Sequence, residues 1–444
     1  MGAVWLLCVL GYALRSFNFA AFPALGDNQD EVAWAWSGLT LITRHVPYAW
    51  SYLPHYRSAT LVVVNGASYP LVHPYLDHPP VFSLLVGGET WLLGARTIEE
   101  VTTVMTRPLV IGLSTLSIFL MYLLARQVVG RGPALAAAAL FATAPITVLL
   151  GRVVESEALL SPLLLGSLLI VQRLVAGRGG RRAVAGLFAI CVVASLTKVP
   201  GAATGLACGA ILVAAGRWRL ALLPPAGALL GLLLYVAYGA LVDWSQFLAV
   251  IADQGARREG VMGAYEFITA PAGIGTAFRD GWWILGWAGL VAIGLQRSLA
   301  SRALVWPALT VTLAIMLLGA ESLVARYGWY RIYIYPLLYI GAGYACWEAL
   351  RRASIPWLVL VLVLGGATTV SLALGYGSTN SGPPVVLVAL AALLVLGPAL
   401  AAEMAPSGRR RTFVAQGVAA AAFVVLLAAN SLESFFMASL KQTL

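Results

Sequence analysis

Three carboxylates stand within five residues near the start of the chain, where they could do acid–base chemistry. Asp27, Asp30 and Glu31 directly follow the first apolar run. A carboxylate at such a place can act as a general base when a hydroxyl group reaches it, and one or two of these three could project into a cavity at the membrane surface. Asp30 is also well suited to cap the helix predicted to begin at Glu31 and to end near Arg44, and the two roles are compatible.

Positive side chains stand at the ends of later apolar runs, where they could hold an anion. Arg152 precedes Glu157, so it either pairs with a glutamate or holds an anionic substrate. Lys198 lies between two apolar runs, where it either meets a specific anion or extends its amine to water. Arg326 and Arg331 stand among aromatic residues that are typical of a membrane-interface belt. Two guanidinium groups there could also grip a phosphate by bidentate hydrogen bonds.

The four histidines all lie in the segment that follows the first apolar run, at His45, His55, His73 and His78. Their spacing is not that of zinc ligands. The four cysteines lie inside apolar runs, where cysteine behaves as a small hydrophobic residue. No metal site is predicted from these residues, and the sequence leaves a divalent metal cofactor open.

The composition indicates the environment in which these groups work. The chain is 60% hydrophobic and 10% charged, with 18 aspartates and glutamates and a mean hydropathy of +0.87. This composition is too apolar for a soluble globular protein, and it predicts an all-α polytopic membrane protein. The net charge of +10 could suggest a nucleic-acid partner, but the arginines form short clusters between apolar runs, as topology signals do. We therefore expect no nucleic acid.

A spanning helix needs roughly 20 apolar residues, and the apolar runs predict about thirteen such helices. Their approximate bounds are Val4–Leu25, Pro108–Val128, Pro133–Leu150, Leu159–Leu174, Ala183–Leu196, Gly201–Ala215, Leu220–Leu241, Trp282–Leu295, Ala303–Leu318, Ile332–Ala349, Pro356–Leu374, Val385–Ala402 and Phe413–Leu432.

The arginine clusters fall in alternate linkers, which the positive-inside rule assigns to the cytoplasm. The N-terminus is then cytoplasmic and the C-terminus external in the plasma membrane. Counting Val81–Leu93 as a span would move every later arginine cluster outside, so this run is predicted to be a helix at the external surface. Two long external linkers result. Residues 26–107 form a first loop with interfacial helices and the carboxylates, and residues 243–281 form either a mobile lid or a plain surface loop.

External carboxylates and external cations thus collect on one side of a helical bundle. Residues 1–444 are predicted to form a single transmembrane domain without a separate soluble domain. No phosphate-binding loop or dinucleotide-binding glycine motif is visible in the sequence. A site of this kind suits a substrate with a phosphate head group and a lipid tail.

The order of these elements resembles the C-type integral-membrane glycosyltransferases, in the branch of the protein O-mannosyltransferases and lipid A aminoarabinose transferases. The resemblance covers nearly the whole chain. The residues that carry it are Asp30-Glu31 after the first span, His78-Pro79-Pro80 before the surface helix, Arg152 and Glu157 after the third span, Lys198-Val199-Pro200, and the late segment Arg326–Pro336.

The resemblance implies an enzyme that takes one sugar from a polyprenyl-phosphate carrier. It implies transfer with inversion to a lipid, glycan or protein acceptor at the external face, with Asp30 as catalytic base or acceptor-positioning group and Glu31 beside it. The donor and membrane lipids are the expected partners, and no further cofactor is certain. The residues implied for acceptor or sugar binding are Asp27, Glu157 and His78, and those for phosphate binding are Lys198, Arg152, Arg326 and Arg331.

Two positions depart from the family pattern. Glu157 stands where the family often has aspartate, and it can do the same work with one more methylene group. His78 stands where the best-known members have lysine, and histidine carries a full charge only at low pH.

The alternative function is that of a membrane transporter or lipid flippase, which also uses intramembrane charges. Such proteins often contain internal repeats with broken helices near the middle of the bilayer. No half-to-half repeat is visible in this sequence, and the charges lie at the outer ends of the predicted spans. The sequence therefore favours the enzyme.

Overall fold

The computed structural model describes residues 1–25, 28–56, 60–64, 66–256, 273–274, 278–279, 282–296, 298–319, 329–352, 361 and 409–439. Helices dominate these residues, because a helix satisfies the backbone hydrogen bonds of an apolar segment internally. The helices are α1 Gly2–Ser16, α2 Gln29–Arg44, α3 Pro80–Leu92, α4 Thr103–Thr106, α5 Pro108–Val128, α6 Arg131–Thr143, α7 Pro145–Leu150, α8 Glu157–Val175, α9 Arg181–Thr197, α10 Ala202–Ala214, α11 Trp218–Ala221, α12 Leu223–Ala256, α13 Trp282–Gly294, α14 Leu299–Gly319, α15 Tyr335–Arg352 and α16 Arg409–Ser439.

The predicted fold class, an all-α polytopic membrane protein, is confirmed. Three stretches of the described chain are long and apolar enough to cross a membrane, namely Pro108–Val128, Glu157–Val175 and Trp218–Ala256, and shorter apolar helices accompany them. The total of about thirteen spans stays a prediction. The two spans predicted over Pro356–Leu374 and Val385–Ala402 lie outside the described residues, apart from Val361.

Two helices of the first loop pack closely and define its frame. α2 and α3 cross at Gly38 and Gly87, where a Cβ atom on either glycine would overlap the backbone of the other helix. The close approach buries Trp34 and Trp36 of α2 and Phe82 of α3. The start of α2 and the segment before α3 are therefore held side by side.

A small antiparallel sheet, which was not predicted, is formed by the segment that connects α2 to α3 in the sequence. Its strands are β1 Ala49–Trp50, β2 Thr60–Val64 and β3 Ala67–Val72, in the order β1-β3-β2. Trp50 of β1 lies against the ring of Tyr69 in β3 with ring centroids 6.0 Å apart, and Trp50 Nε1 donates to the carbonyl of Gln29. The sheet is thereby fixed to the first residue of α2.

The first predicted span, Val4–Leu25, is too long. α1 ends at Ser16 because Phe17 is extended and Asn18 adopts a left-handed conformation with φ 54°. The following residues run as a non-helical segment to Leu25.

The predicted span Pro133–Leu150 is not one continuous helix. It breaks at Ala144 into α6 and α7, because Pro145 has no N–H to donate to the carbonyl of Phe141. Arg15 of α1 donates to that carbonyl instead, at 3.0 Å.

The predicted loop over residues 243–281 is wrong in its first third. α12 continues to Ala256 after one non-helical residue, Asp243, at φ −164° and ψ 103°. Asp243 Oδ1 accepts the N–H of Gln246 at 2.9 Å, so the carboxylate caps the second half of the helix. Phe247 of this half packs against Tyr235 and Leu76, which joins α12 to the first loop. Residues 257–272, 275–277 and 280–281 lie outside the described chain.

Candidate active site

Three helix ends meet at one end of the bundle, and they carry the candidates Asp30, Glu157 and Lys198. α2 begins at Gln29, α8 begins at Glu157, and α9 ends just before Lys198. Asn28, which precedes α2, donates from Nδ2 to Glu155 Oε1 at 3.1 Å. This hydrogen bond ties the start of α2 to the loop that leads into α8.

Glu155 lies at the centre of this cluster, although nothing in the sequence distinguishes it from its neighbours. Its side chain is fully buried. Burial raises the pKa of Glu155 well above its ordinary value, and the charges of Asp30 and Glu157 raise it further, against the opposite effects of Lys198 and Asn28. The protonated form of Glu155 is favoured, and Glu155 interacts electrostatically with Asp30, Glu157 and Lys198.

Lys198 and Glu157 form a buried ion pair. Lys198 Nζ lies 2.7 Å from Glu157 Oε1, and the two residues are 6% and 1% exposed. Nζ also lies 4.3 Å from the centroid of the Tyr330 ring, over its face. Burial lowers the pKa of Lys198, but the attraction of Glu157 and the other neighbours outweighs it, so the pKa is raised and the amine is charged.

Asp30 stands at the first turn of α2 and is only half-buried, so that solvent or a ligand can reach it. Its charge acts on the buried Tyr75, whose pKa is raised by burial, by Asp77 and by Asp30. Asp77 was not among the predicted site residues. Its carboxylate accepts the hydroxyl of Ser51 at 2.7 Å and that of Tyr56 at 2.5 Å. The site thus has a second carboxylate beside Tyr75.

His78 lies close to the same helix turn. Its ring stacks on Trp34, with centroids 4.7 Å apart and planes at 22°, and it meets the edge of Tyr75. Trp34 follows Asp30 by one helical turn on the same face of α2. The structure therefore brings His78 to the Asp30 side of the cluster, next to the segment that enters α3.

Arg331 follows Tyr330, the aromatic residue that Lys198 contacts. It is completely buried in a short 3₁₀ turn, Trp329–Tyr333, and its guanidinium carbon lies 4.3 Å from the centroid of the Trp283 ring. The neighbouring Tyr330 is the residue over which Lys198 is placed. Lys198 and Arg331 thus each lie over an aromatic ring, Tyr330 and Trp283 respectively.

Glu31 has a different environment from Asp30 although the two are adjacent. Arg107 binds it in a bidentate ion pair, with Nη2 at 2.7 Å from Oε2 and Nε at 2.9 Å from Oε1. Thr106 also donates to Oε1. Glu31 and Arg107 are 0% and 1% exposed, so this ion pair lies inside the protein. The cation directly before Pro108, in a linker predicted to be external, was the signal in the sequence that could have identified Arg107.

Arg152 is also used internally. It is fully buried, and its amino groups donate to the carbonyls of Leu14 at 2.6 Å and Phe17 at 3.0 Å. These carbonyls belong to the end of α1, which lacks further turns to pair them. The amino groups of Arg152 therefore cap the end of α1, and a phosphate contact of Arg152 stays a prediction. Two other candidates, Asp27 and Arg326, lie outside the described residues.

Within the described residues, no group of three or more histidines, cysteines or carboxylates is arranged to hold a metal ion. His55 pairs with Asp253 at 2.6 Å, and His73 lies against the ring of Tyr48. The histidines are thus distributed among separate contacts of the first loop.

Comparison with known proteins agrees with this architecture. Residues 77–241 match the family described as dolichyl-phosphate-mannose-protein mannosyltransferase. The solved structure of ArnT from Cupriavidus metallidurans bound to undecaprenyl phosphate is similar with a TM-score of 0.57 and 18% identity, over 98% of this chain and 77% of that one. No curated protein gives a significant match.

Archaeal oligosaccharyltransferases are also similar in structure. The oligosaccharyltransferase of Archaeoglobus fulgidus in complex with Zn and sulfate gives a TM-score of 0.51 and 14% identity over 91% of this chain. AglB from the same organism, in complex with an inhibitory peptide and a dolichol-phosphate, gives 0.48 and 14% over 94%. This chain spans 56% and 55% of the length of those two chains. The similarities to ArnT and to the Zn and sulfate complex show the shared fold.

Proposed function

We propose that this chain, whose residues 77–241 match a mannosyltransferase family, transfers one monosaccharide from a polyprenyl-phosphate carrier to an acceptor at the external face of the membrane, with inversion. The acceptor is a lipid, a glycan or a protein. The observation that carries the proposal is that the charges of the half-buried Asp30 and of the buried Lys198, which is paired with Glu157, both act on Glu155. The undecaprenyl phosphate bound to ArnT supports the class of donor.

The proposed reaction is a single displacement. Asp30 accepts the proton of the acceptor hydroxyl while that oxygen attacks the anomeric carbon of the sugar. The bond between this carbon and the phosphate oxygen breaks, and the lipid phosphate leaves with the bonding electrons. Attack on the face opposite the leaving group inverts the configuration. Lys198 and Arg331 stabilise the negative charge that develops on the phosphate.

Lys198 can hold a phosphate without giving up its present partner. An ammonium group has three N–H donors, and the ion pair with Glu157 uses one of them. In the proposal, a phosphate oxygen replaces the contact between Lys198 and the Tyr330 ring. The same phosphate also binds Arg331. Arg326 is proposed as a further phosphate ligand because it belongs to the same late segment.

The remaining residues have supporting roles in the proposal. Glu157, Asp77 and His78 orient sugar or acceptor hydroxyls around Asp30, and Asp27 does so from the segment just before α2. Glu31 acts as a positioning residue rather than a base, because its pair with Arg107 anchors the first turn of α2, which carries Asp30.

Substituting Asp30 tests the proposal. Asp30→Asn keeps the size and removes the proton acceptor, so we expect transfer from a polyprenyl-phosphate sugar in membranes to fall about 10²-fold or more. Glu99→Gln removes an exposed carboxylate of the same loop and should leave transfer unchanged. Activity of the Asp30→Asn variant equal to that of Glu99→Gln would exclude Asp30 as the base.

A further inference from the structure

A cavity of about 730 Å³ opens at the turns that join α8 to α9 and α10 to α11. Its volume is within the range of about 300–1,000 Å³ that small-molecule sites occupy. The cavity combines arginines with an apolar wall. The lining residues that matter here are Leu174, Arg181, Val184, Phe188, Arg217 and Leu220.

The rim of this cavity is strongly positive. The sequence has no aspartate or glutamate between Glu157 and Asp243. Among the described residues, none of the arginines at these two turns forms an ion pair, and all are exposed. They are Arg173, Arg178, Arg181, Arg182, Arg217 and Arg219.

The backbone adds to the positive charge at the same place. α9 begins at Arg181 after Gly179-Gly180, and no side chain caps its first N–H groups. Such N–H groups and the helix dipole favour an anion. Arg217 reaches across from the other turn, with Nη2 3.5 Å from the carbonyl of Val175. An anion at this point would meet two guanidinium groups and a helix N-terminus.

The wall of the cavity is apolar and continues along the helices. Leu174 is buried, and Val184, Phe188 and Leu220 are partly buried. Trp218, beside the cavity, is 67% exposed, as is common for tryptophan at the boundary between lipid and water. A ligand that fills the space therefore needs an apolar portion next to its negative group.

The cavity lies at the opposite end of the bundle from the candidate active site. α8 runs from Glu157 to Val175, and α9 returns from Arg181 to Thr197, just before Lys198. At a rise of 1.5 Å per residue, these helices are about 25–29 Å long. This separation is close to the hydrocarbon thickness of a bilayer, roughly 30 Å, so the cavity and the active site face different leaflets.

We propose that this cavity binds one anionic phospholipid of the leaflet at this end of the bundle. The phosphate lies between Arg181, Arg217 and the start of α9, and an acyl chain runs along Val184 and Phe188. Basic pockets between membrane helices bind the head groups of such lipids. If the arginines acted only as a topology signal, their charges would suffice. A bound lipid also needs an apolar cavity beside them, and the structure contains one. The inference is independent of the proposed sugar transfer.

Native mass spectrometry of the purified full chain tests the proposal with dioleoyl phosphatidylglycerol as the probe and dioleoyl phosphatidylcholine as the uncharged comparison. We expect the wild-type chain to retain one phosphatidylglycerol selectively, and to lose it as salt concentration rises. Arg181→Gln with Arg217→Gln should weaken this binding roughly 30-fold. The matched control, Arg126→Gln with Arg131→Gln, removes two exposed arginines from the turn between α5 and α6 and should leave it unchanged.

A second variant separates a lipid from a free phosphate. Val184→Trp fills the apolar wall and keeps both arginines, so it should weaken phosphatidylglycerol binding. In the wild-type chain, glycerol 1-phosphate should not displace the bound lipid. Equal retention of both phospholipids by the wild type, insensitivity to salt, or displacement by glycerol 1-phosphate would overturn the proposal. So would equal phosphatidylglycerol binding by the cavity variants and the control. The salt and phosphatidylcholine comparisons need only the wild-type chain, so they test the proposal even if a variant does not fold.

Discussion

Lys198 and Glu157 stabilise each other at the place where a lipid phosphate is proposed to bind. Both are almost completely buried and their charged atoms are 2.7 Å apart. Removing one partner of a buried pair leaves the other charge uncompensated and costs about 3–5 kcal/mol. A loss of activity in a Lys198 variant alone would therefore not distinguish a ligand contact from lost stability.

A double substitution makes this distinction. Lys198→Met should lower both the unfolding temperature and the rate of transfer. Adding Glu157→Gln removes the unpaired carboxylate, so we expect the unfolding temperature to recover while transfer from the polyprenyl-phosphate donor stays at least about tenfold below that of Glu157→Gln alone. The measurements are thermal unfolding and kcat/KM for the donor. Equal kcat/KM in the double variant and in Glu157→Gln would limit Lys198 to a structural role.

Among the elements, the break between α6 and α7 shows how a buried arginine substitutes for helical hydrogen bonds. Arg15 uses all five of its N–H donors, at distances of 2.8–3.2 Å. One of them, Nη1–H, binds the carbonyl of Ala142, which the break leaves without a backbone partner. The others join α1 to α5 and α7 through Ser114 and Thr147. The broken helix is thereby held in the bundle.

Arg15→Met should destabilise the protein substantially. The carbonyl of Ala142 would lose its donor, and a buried polar group without a partner costs roughly 1–3 kcal/mol. Thermal unfolding in detergent measures the effect, with the exposed Arg126→Met as the control. If the two variants unfold at the same temperature, the hydrogen bonds of Arg15 do not stabilise the break.

Glu89 of α3 connects the first loop to the start of α5. Its Oε1 accepts the N–H of Leu109 at 2.8 Å, one of the first N–H groups of a helix that has no side-chain cap of its own. Burial raises the pKa of Glu89 from 4.5 to about 7, against the lowering effect of this hydrogen bond. The folded protein therefore holds a proton that the unfolded chain releases.

The raised pKa predicts a loss of stability as pH increases. Below pH 4.5 Glu89 is protonated in both the folded and the unfolded chain, so its contribution to the free energy of unfolding is complete. Between pH 4.5 and about 7 Glu89 ionises first in the unfolded chain, and this contribution is lost. Glu89→Gln keeps the acceptor oxygen and removes the titration. We expect its unfolding temperature to fall less than that of the wild type over this range, whereas Glu99→Gln should follow the wild type. Parallel curves for all three proteins would contradict the assignment.

For the whole molecule, the arginine distribution predicts which end of the bundle faces the cytoplasm. The first loop and the candidate active site are predicted to be external, and the turn between α8 and α9 cytoplasmic. The cavity proposed to bind an anionic phospholipid and the acidic cluster lie at opposite ends of α8 and α9, in agreement with this alternation. The sidedness itself is a prediction.

Cysteine labelling tests the sidedness in intact cells. The four native cysteines are free and buried, so their background reaction with a membrane-impermeant maleimide should be small. Thr60→Cys in β2 and Arg178→Cys at the α8–α9 turn are both at exposed positions. We expect the first to react in intact cells and the second only after permeabilisation. The reverse pattern would invert the topology and remove the active site from the external face.

The sequence by itself determined the helical membrane architecture and the segments that carry chemistry. Long apolar runs permit few other structures in a bilayer, and the helix expected near Glu31–Arg44 is observed as Gln29–Arg44. Asp30, Glu157 and Lys198 were identifiable because ionisable groups at the ends of apolar runs need a specific environment. Their convergence also depends on the alternation of spans, which places their linkers at one end.

Only the tertiary structure decided which charges bind each other and which remain reachable. Glu31 and Asp30 are neighbours in the sequence, yet Glu31 is paired with Arg107, 76 residues away, while Asp30 is half-buried. Arg152 and Lys198 looked equivalent, yet Arg152 binds carbonyls of α1 and Lys198 binds a carboxylate of α8. A buried charge is stabilised by whatever partner the packing of distant segments brings within hydrogen-bonding distance, and residue type and spacing along the chain do not contain that information.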